Sequence, residues 1–287
     1  MDDGLRRAIE PTLGARVVES QRVHGGDVAV AYAVDLDDGR RVFAKTHPAA
    51  PANFFTTEAA GLEWLREPRV VPVPEVLAVS DAAPNHLVLE WIDEGGRTGA
   101  KSDAELGTAL AALHGAGAPA FGREDRRSTG SRGLPNEPRA TWADFYRDNR
   151  LLPLARLARE ADALPARSIA ELERVADRLD RFGGTGEPPA RLHGDLWAGN
   201  RVVDARGRSW LIDPAAHGGH REFDLAMMRL FGGFGARCFD AYMSASPLAP
   251  GWEDRVALHQ IAPLVVHAIK FGGGYVAAAE RAIATYA

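Results

Sequence analysis

The first third of the chain carries short apolar runs broken by turn residues, and most of the remainder carries apolar residues at helical spacing. Residues 15–23 (ARVVESQRV), 28–36 (VAVAYAVDL) and 41–46 (RVFAKT) are Val-rich. The segments HGGD (24–27) and DDGR (37–40) separate them, which predicts three strands joined by turns. Residues 53–67 then place Phe55, Ala59, Leu62 and Leu65 on one helical face. Strand patterning returns at 71–80 and 86–92. Beyond it, helices are predicted over 103–115, 141–160, 166–182, 222–245 and 252–286. The stretch 182–215 interrupts them as a hairpin, and 115–139, rich in Gly, Pro, Ser and Arg, reads as a long surface loop.

This order predicts an α+β protein, with a strand-rich lobe over 1–91 and a larger helical lobe over 92–287, joined by EWIDEGG. A chain of 287 residues is long enough to bury a core in each. No internal repeat stands out. The net charge of −5 gives no reason to expect a nucleic-acid partner. Cys238 is the single cysteine, so no intrachain disulfide can form and a Cys-rich zinc framework is excluded; a buried, inert thiol is expected. The N-terminus lacks an apolar leader and no segment has eighteen unbroken apolar residues, so a cytoplasmic protein without a membrane partner is expected.

The chemistry concentrates in HGDLWAGN (193–200) and WLIDPAAHGGH (210–220). The first fits His-x-Asp-Leu-x-x-x-Asn, a catalytic-loop pattern of phosphoryl-transfer enzymes. Four fixed positions arise by chance in a chain this long at roughly two in a thousand. Phosphoryl transfer needs a carboxylate to orient the acceptor hydroxyl and an amide oxygen five residues on to face a divalent cation. Asp195 and Asn200 have those types at that spacing, and Asp213, closing an apolar run, supplies a second cation ligand. The plainer reading is that Asp195 caps a turn and Asn200 adopts a left-handed conformation in a hairpin.

The N-terminal lobe separates these readings. A kinase requires a strand lysine for the α- and β-phosphates and a helix glutamate to hold that lysine. RVFAKT places Lys45 on the third predicted strand, and Glu58 follows on the next predicted helix. Lys45, Glu58, Asp195, Asn200 and Asp213 therefore occur in the required order and elements, which points to a phosphotransferase using ATP and Mg²⁺.

The chain resembles the protein-kinase-like superfamily on the side of the aminoglycoside phosphotransferases and choline kinases, and more closely the fructosamine kinase (ketosamine 3-kinase) family. The resemblance is carried by LHGDLWAGN, by LIDPAAHGGHREFDLAMMRLFGGF (211–234) and by TWADFYRDNRLLPLARLA (141–158), with weaker support from LGTALAALHG (106–115) and FGGGY (271–275). It implies a two-lobe kinase fold and transfer of phosphate from ATP to the 3-hydroxyl of a ketosamine such as fructosamine or ribulosamine. The acceptor would be free or carried on a glycated protein side chain, giving a deglycation role. It also implies that LVLEWI (87–92) is the hinge strand, with adenine contacts from the backbone of Glu90 and Ile92. Asp224 resembles the helix aspartate that ties down the catalytic-loop backbone, and His193 is expected to buttress the same loop.

Gly194 and Trp197 stand where protein kinases usually carry Arg and Lys, and PAAHGGHRE is too short for a protein-kinase activation segment. Gly25 and Gly26 could cover phosphates with their backbone N–H groups, or could simply form a hairpin turn. Trp197, His217, His220 and Arg221 are candidates to line the acceptor pocket, with apolar packing an alternative for Trp197. His114 is expected to be packed or capping and not a ligand, and Trp142, Phe145, Tyr146, Met227 and Met228 are expected to be core. Two other functions are weighed. One keeps the site and changes the acceptor to an aminoglycoside or another amino alcohol. The other is a metal hydrolase using His193, Asp195, Asp213, His217 and His220, which leaves Lys45 and Glu58 unexplained.

Overall fold

The computed structural model describes residues 1–23, 29–123, 125, 128–129, 133–183 and 186–287. The chain divides into two compact units, Met1–Thr98 with Arg201–Pro214 and Gly99–Asn200 with Ala215–Ala287.

The first unit is built on a five-stranded antiparallel sheet in the order β1-β2-β3-β5-β4. Its strands are β1 (Val17–Val23), β2 (Val30–Leu36), β3 (Arg41–Thr46), β4 (Val76–Ser80) and β5 (His86–Glu90). The DDGR turn closes β2 onto β3, with Gly39 at φ 85 donating its N–H to Leu36 O. Helix α2 (Phe54–Arg66) buries Phe55, Ala59, Leu62 and Leu65, the face expected from their spacing.

Helix α1 (Asp3–Leu13) is absent from the sequence reading. Leu5, Ile9 and Leu13 recur every fourth residue and pack on Val34, Leu36 and Val88. Asp2 caps the helix by accepting Leu5 N–H at 2.8 Å, and Gly14 ends it at φ 64. Pro11 within an otherwise charged segment obscures the apolar repeat, although the Asp cap and C-terminal Gly are legible signals.

The second unit is mainly helical. Its first elements are α3 (Ala100–Gly115), the short pair β6 (Ser128–Thr129) and β7 (Leu134–Pro135), α4 (Trp142–Tyr146), α5 (Leu152–Glu160) and α6 (Ala166–Ala176). Strands β8 (Ala190–Leu192) and β11 (His217–Gly219) pair with each other, whereas β9 (Arg201–Val203) and β10 (Ser209–Leu211) form a hairpin in the first unit. That hairpin is attached by Leu211 N–H to Pro72 O at 3.0 Å and Ala205 N–H to Asp93 O at 2.8 Å. These partners are far apart in sequence, so the single boundary drawn at 91/92 has no local signal for them.

Helices α7 (Glu222–Phe231), α8 (Ala236–Ala245), α9 (Trp252–Phe271) and α10 (Gly274–Ala284) complete the unit. The expected long helices are split at glycines, 222–245 at Gly232–Gly235 and 252–286 at Gly272–Gly273, whose φ values of 63 and 57 suit residues without a Cβ. Between α4 and α5, Arg147–Leu151 form a π-helical turn. Within 115–139, expected to be a surface loop, two described residues make bridges: Gly122 with Gly218 and Phe121 with Arg139. The core gathers Trp142, Phe145, Tyr146, Leu172, Ile261 and Val265. Met227, Met228 and Cys238 are buried as expected. Among the described residues, no helix is long and apolar enough to cross a membrane.

Candidate active site

In the first unit, the register of β3 between β2 and β5 pairs Lys45 with Ala31 and Leu87, in the middle of the sheet. Its ammonium, 7% exposed with the whole residue, lies 2.5 Å from Glu58 Oε1 and 2.8 Å from Asp213 Oδ1. Burial alone would lower the Lys45 pKa, but the two carboxylates outweigh it and raise it, so the side chain stays cationic. Burial pushes Glu58 up to about 7, with the Asp213 charge adding to the shift and Lys45 opposing it. Asp213 itself has φ 51, a left-handed conformation that costs energy in a non-glycine residue and is characteristic of functional positions.

Helix α2 is aimed by a residue the sequence reading did not single out. Asn53 precedes the helix in a left-handed conformation and makes no side-chain cap. Asp81, from the β4–β5 turn, caps it instead, accepting Phe55 N–H at 2.9 Å and the Thr56 hydroxyl at 2.5 Å. A cap supplied by such a distant residue leaves no spacing motif.

Glu90 ends β5, its N–H donating to Glu75 O at 2.9 Å, and the Ile92 carbonyl accepts Glu94 N–H at 2.9 Å. Both line a cleft with Trp91, Asp93, Asp204 and Trp210. Gly25 and Gly26 lie outside the described residues.

In the second unit, the loop after β8 is framed by one carboxylate. Asp224 on α7, completely buried, accepts His193 N–H at 2.8 Å and Gly194 N–H at 2.9 Å. Burial would raise its pKa, but the surrounding donors lower it below the usual range, so it is ionised. His114 on α3 donates Nε2–H to Asp224 at 3.3 Å and accepts the Tyr242 hydroxyl at Nδ1, 2.8 Å away. His114 is buried and packed on Tyr242, as expected, and is hydrogen-bonded as well. His193 is buried, and its Nδ1 accepts Asp195 N–H at 3.3 Å.

Gly194 has φ 80, and a Cβ there would lie 2.2 Å from Ala215 O, so glycine is required where this loop turns. Half-buried Asp195 follows. Asn200 donates Nδ2–H to Asp195 O at 2.8 Å and to Asp195 Oδ2 at 3.2 Å, which points its amide nitrogen at Asp195 and its amide oxygen elsewhere.

The acceptor-pocket candidates do not share one environment. Trp197 is 41% exposed and lies over Gly199. His217 is buried and stacked on Phe145, with ring centroids 5.2 Å apart, and donates Nδ1–H to Ala215 O at 2.9 Å. Burial, reinforced by Arg150, lowers its pKa to about 3, so it is neutral. His220 is buried against His259, and Arg221 is held by Glu187, the Ser246 hydroxyl and Pro247 O. The acceptor-lining expectation for His217, His220 and Arg221 is corrected accordingly. Their short-range motif signals a framework beneath the loop, because His217 on β11 and His220 just after it both turn into the aromatic core.

The hydrolase reading also fails on geometry. The His/Cys/Asp/Glu cluster found among the described residues is His220, Glu222 and His259, which shares only His220 with the set proposed for it. Arg255 neutralises its Glu222 through contacts of 2.9 and 2.6 Å.

With this geometry in view, the sequence signature of the fructosamine kinase family matches residues 1–287. The chain belongs to the fructosamine kinase family. It is 36% identical over 283 residues to a protein named as a ketoamine kinase in Synechocystis, covering 96% of this chain and 94% of that one. A protein-ribulosamine 3-kinase of Arabidopsis thaliana is 32% identical over 268 residues, covering 92% of this chain and 81% of the relative. A crystal structure described as a fructosamine-3-kinase, from Thermobifida fusca, superposes with a TM-score of 0.92 at 38% identity, covering 100% and 99% of the two chains. The family assignment makes this kinase an ATP-using phosphotransferase with the protein-kinase-like fold.

Proposed function

We propose that this kinase transfers the γ-phosphoryl group of ATP to the 3-hydroxyl of a ketosamine, with Asp195 as the residue that receives the hydroxyl proton. The observation that carries the reading is the tethered loop: Asp224 fixes the backbone on one side of Asp195, and Asn200 fixes its carbonyl and carboxylate on the other. A carboxylate so held can orient an alcohol and accept its proton late in a loose transition state, when little charge has built on the acceptor oxygen.

Lys45, held by Glu58, is assigned to the α- and β-phosphates, and the backbone of Glu90 and Ile92 to the adenine. Asn200 and Asp213 would hold Mg²⁺; an amide oxygen and a carboxylate are the hard donors this ion prefers. The chemistry such a cation would supply, when bound, is neutralisation of the phosphate charge. Lys45 already contacts Asp213 at 2.8 Å, so Asp213 is held at the phosphate-binding lysine before a cation arrives.

The acceptor class follows from family membership and from the relative named as a protein-ribulosamine 3-kinase. Ketosamines on small amines and on glycated protein side chains are both included. Phosphorylation at the 3-hydroxyl makes such an adduct prone to spontaneous breakdown, so the consequence is deglycation.

The test is ATP consumption with Mg²⁺ against ribulosamine and fructosamine derivatives, kanamycin, choline and no acceptor, with mass spectrometry of the products. Turnover confined to the ketosamines is expected. Turnover confined to kanamycin or choline would overturn the acceptor while leaving the phosphotransferase assignment in place.

A further inference from the structure

Five aromatic side chains make a continuous wall that starts on the loop of Asp195. Trp197 lies 6.3 Å from Phe231 between ring centroids, and Phe231 lies 4.8 Å from His267. His267 in turn is 5.6 Å from Phe271 and 5.0 Å from Tyr275, and those two rings are 6.0 Å apart. The rings come from the loop, the end of α7, the end of α9 and the start of α10. Close packing joins wall and loop: the backbone of Gly233 lies against the Ala198 side chain, and a Cβ on Gly233 would lie 2.2 Å from the Cβ of Ala198. FGGGY (271–275) supplies its outer end, a motif the proposed chemistry leaves unused.

Exposure distinguishes this wall from core packing. The aromatic cluster of Trp142, Phe145 and Tyr146 is at most 3% exposed, whereas Trp197 is 41% and Phe271 52% exposed. Among the described residues, the exposed large hydrophobic side chains are Val18, Val79, Trp197 and Phe271, so both rings of that set stand on this one wall. Exposed rings gathered into one array beside a reacting group mark a binding surface.

Resting on the ketosamine reading, we propose that this wall is the subsite for the amine carrier of the acceptor, the amino-acid or peptide side beyond the sugar. In a ketosamine the nitrogen is bonded to C1, two carbons from the C3 that bears the reacting hydroxyl, and is a secondary ammonium at neutral pH. With that hydroxyl at Asp195, the ammonium falls at the Trp197 end and the carrier continues along Phe231 and His267 toward Phe271. The π faces attract the ammonium, and the rings cover the alkyl stem of a lysine carrier. The wall already shows this affinity internally: Lys270 Nζ lies 4.7 Å over the Phe271 ring. His267 Nδ1 donates to Pro263 O at 2.7 Å, which fixes the ring orientation within the wall.

The experiment compares wild type, Phe271→Ala and Phe271→Tyr on two acceptors with the same sugar, N-fructosyl-methylamine and a short peptide carrying fructosyl-lysine. Phe271→Ala is expected to raise KM for the peptide roughly tenfold, the loss of one exposed ring contact with a cationic alkyl chain. Its KM for the methylamine adduct should stay within about twofold, with kcat and the KM for ATP unchanged, and Phe271→Tyr should restore the peptide. Equal effects on both acceptors, or none on either, would overturn the carrier subsite while leaving the ketosamine assignment intact. A dimer lost in Phe271→Ala together with equal losses on both acceptors would overturn it in favour of a second copy. A wild type silent on both adducts would instead overturn the ketosamine assignment, and the subsite with it.

Discussion

The candidate groups of the first unit and those of the second are held by different physics. In the first unit, Lys45, Glu58 and Asp213 come from β3, α2 and the end of the β9–β10 hairpin, and charge alone draws their tips together. In the second, Asp195 gains its place from backbone N–H groups anchored to Asp224 and from the amide of Asn200. A cluster joined through side-chain ion pairs can rearrange when phosphate or a cation takes over one partner. A loop whose main chain is tied to a buried carboxylate through two N–H groups cannot move without breaking both charge-assisted bonds. On the proposed function, the first arrangement would accommodate a nucleotide that comes and goes, and the second would hold one carboxylate in a fixed attitude toward an alcohol.

Removing the anchor of the rigid half should give the largest effect. Asp224→Asn replaces one of the two acceptor oxygens by an N–H, which then faces either the His193 or the Gly194 donor. Turnover should fall about 100-fold, the cost of misplacing a reacting group by about 1 Å. A stability loss of about 2–3 kcal/mol in denaturant titrations should accompany it, and steady-state kinetics should show the KM for ATP unchanged. In the charge-held half, Lys45→Met should raise the KM for ATP roughly tenfold to a hundredfold, through loss of charge-assisted bonds to phosphate, with the acceptor KM unchanged. If both variants changed the same constants, the two halves would not be separable in this way.

The smallest effect sharpens the comparison through pH. His217, beneath the rigid loop, has its folded pKa lowered to about 3 from 6.5 by burial. Between those values the unfolded chain takes up a proton that the folded protein refuses. The stabilisation is therefore complete above pH 6.5 and is lost as pH falls toward 3, by up to about 1.4 kcal/mol per pH unit. His217→Phe keeps a ring against Phe145 and should flatten the stability–pH curve in that window, measured by urea unfolding. An unchanged slope would mean that His217 is not held neutral.

The same division explains what could be read from the sequence. The strands, α2 and the HGDLWAGN loop depend on local alternation, helical spacing and turn residues, and they lie where those patterns place them. Lys45 and Glu58 were legible because a strand and a helix in succession bring them together. Asp81 as the cap of α2 was not, because its partners are contributed by the fold and not by spacing. His217 and His220 misled for a related reason: histidines beside a catalytic motif suggest chemistry, whereas β11 and the residue that follows it place these in the core. Pro11 concealed α1, and the π-helical turn at Arg147–Leu151 departs from the helical repeat on which the reading of 141–160 relied.

The central claim is that Asp195 accepts the proton of a ketosamine hydroxyl while the nucleotide is held elsewhere. It is tested most directly by single-turnover phosphoryl transfer in Asp195→Asn, with ATP affinity measured on the same preparation. The account predicts ATP affinity equal to wild type and transfer to the ketosamine slower by about 10²–10⁴-fold. Transfer at the wild-type rate with ATP still bound would contradict it.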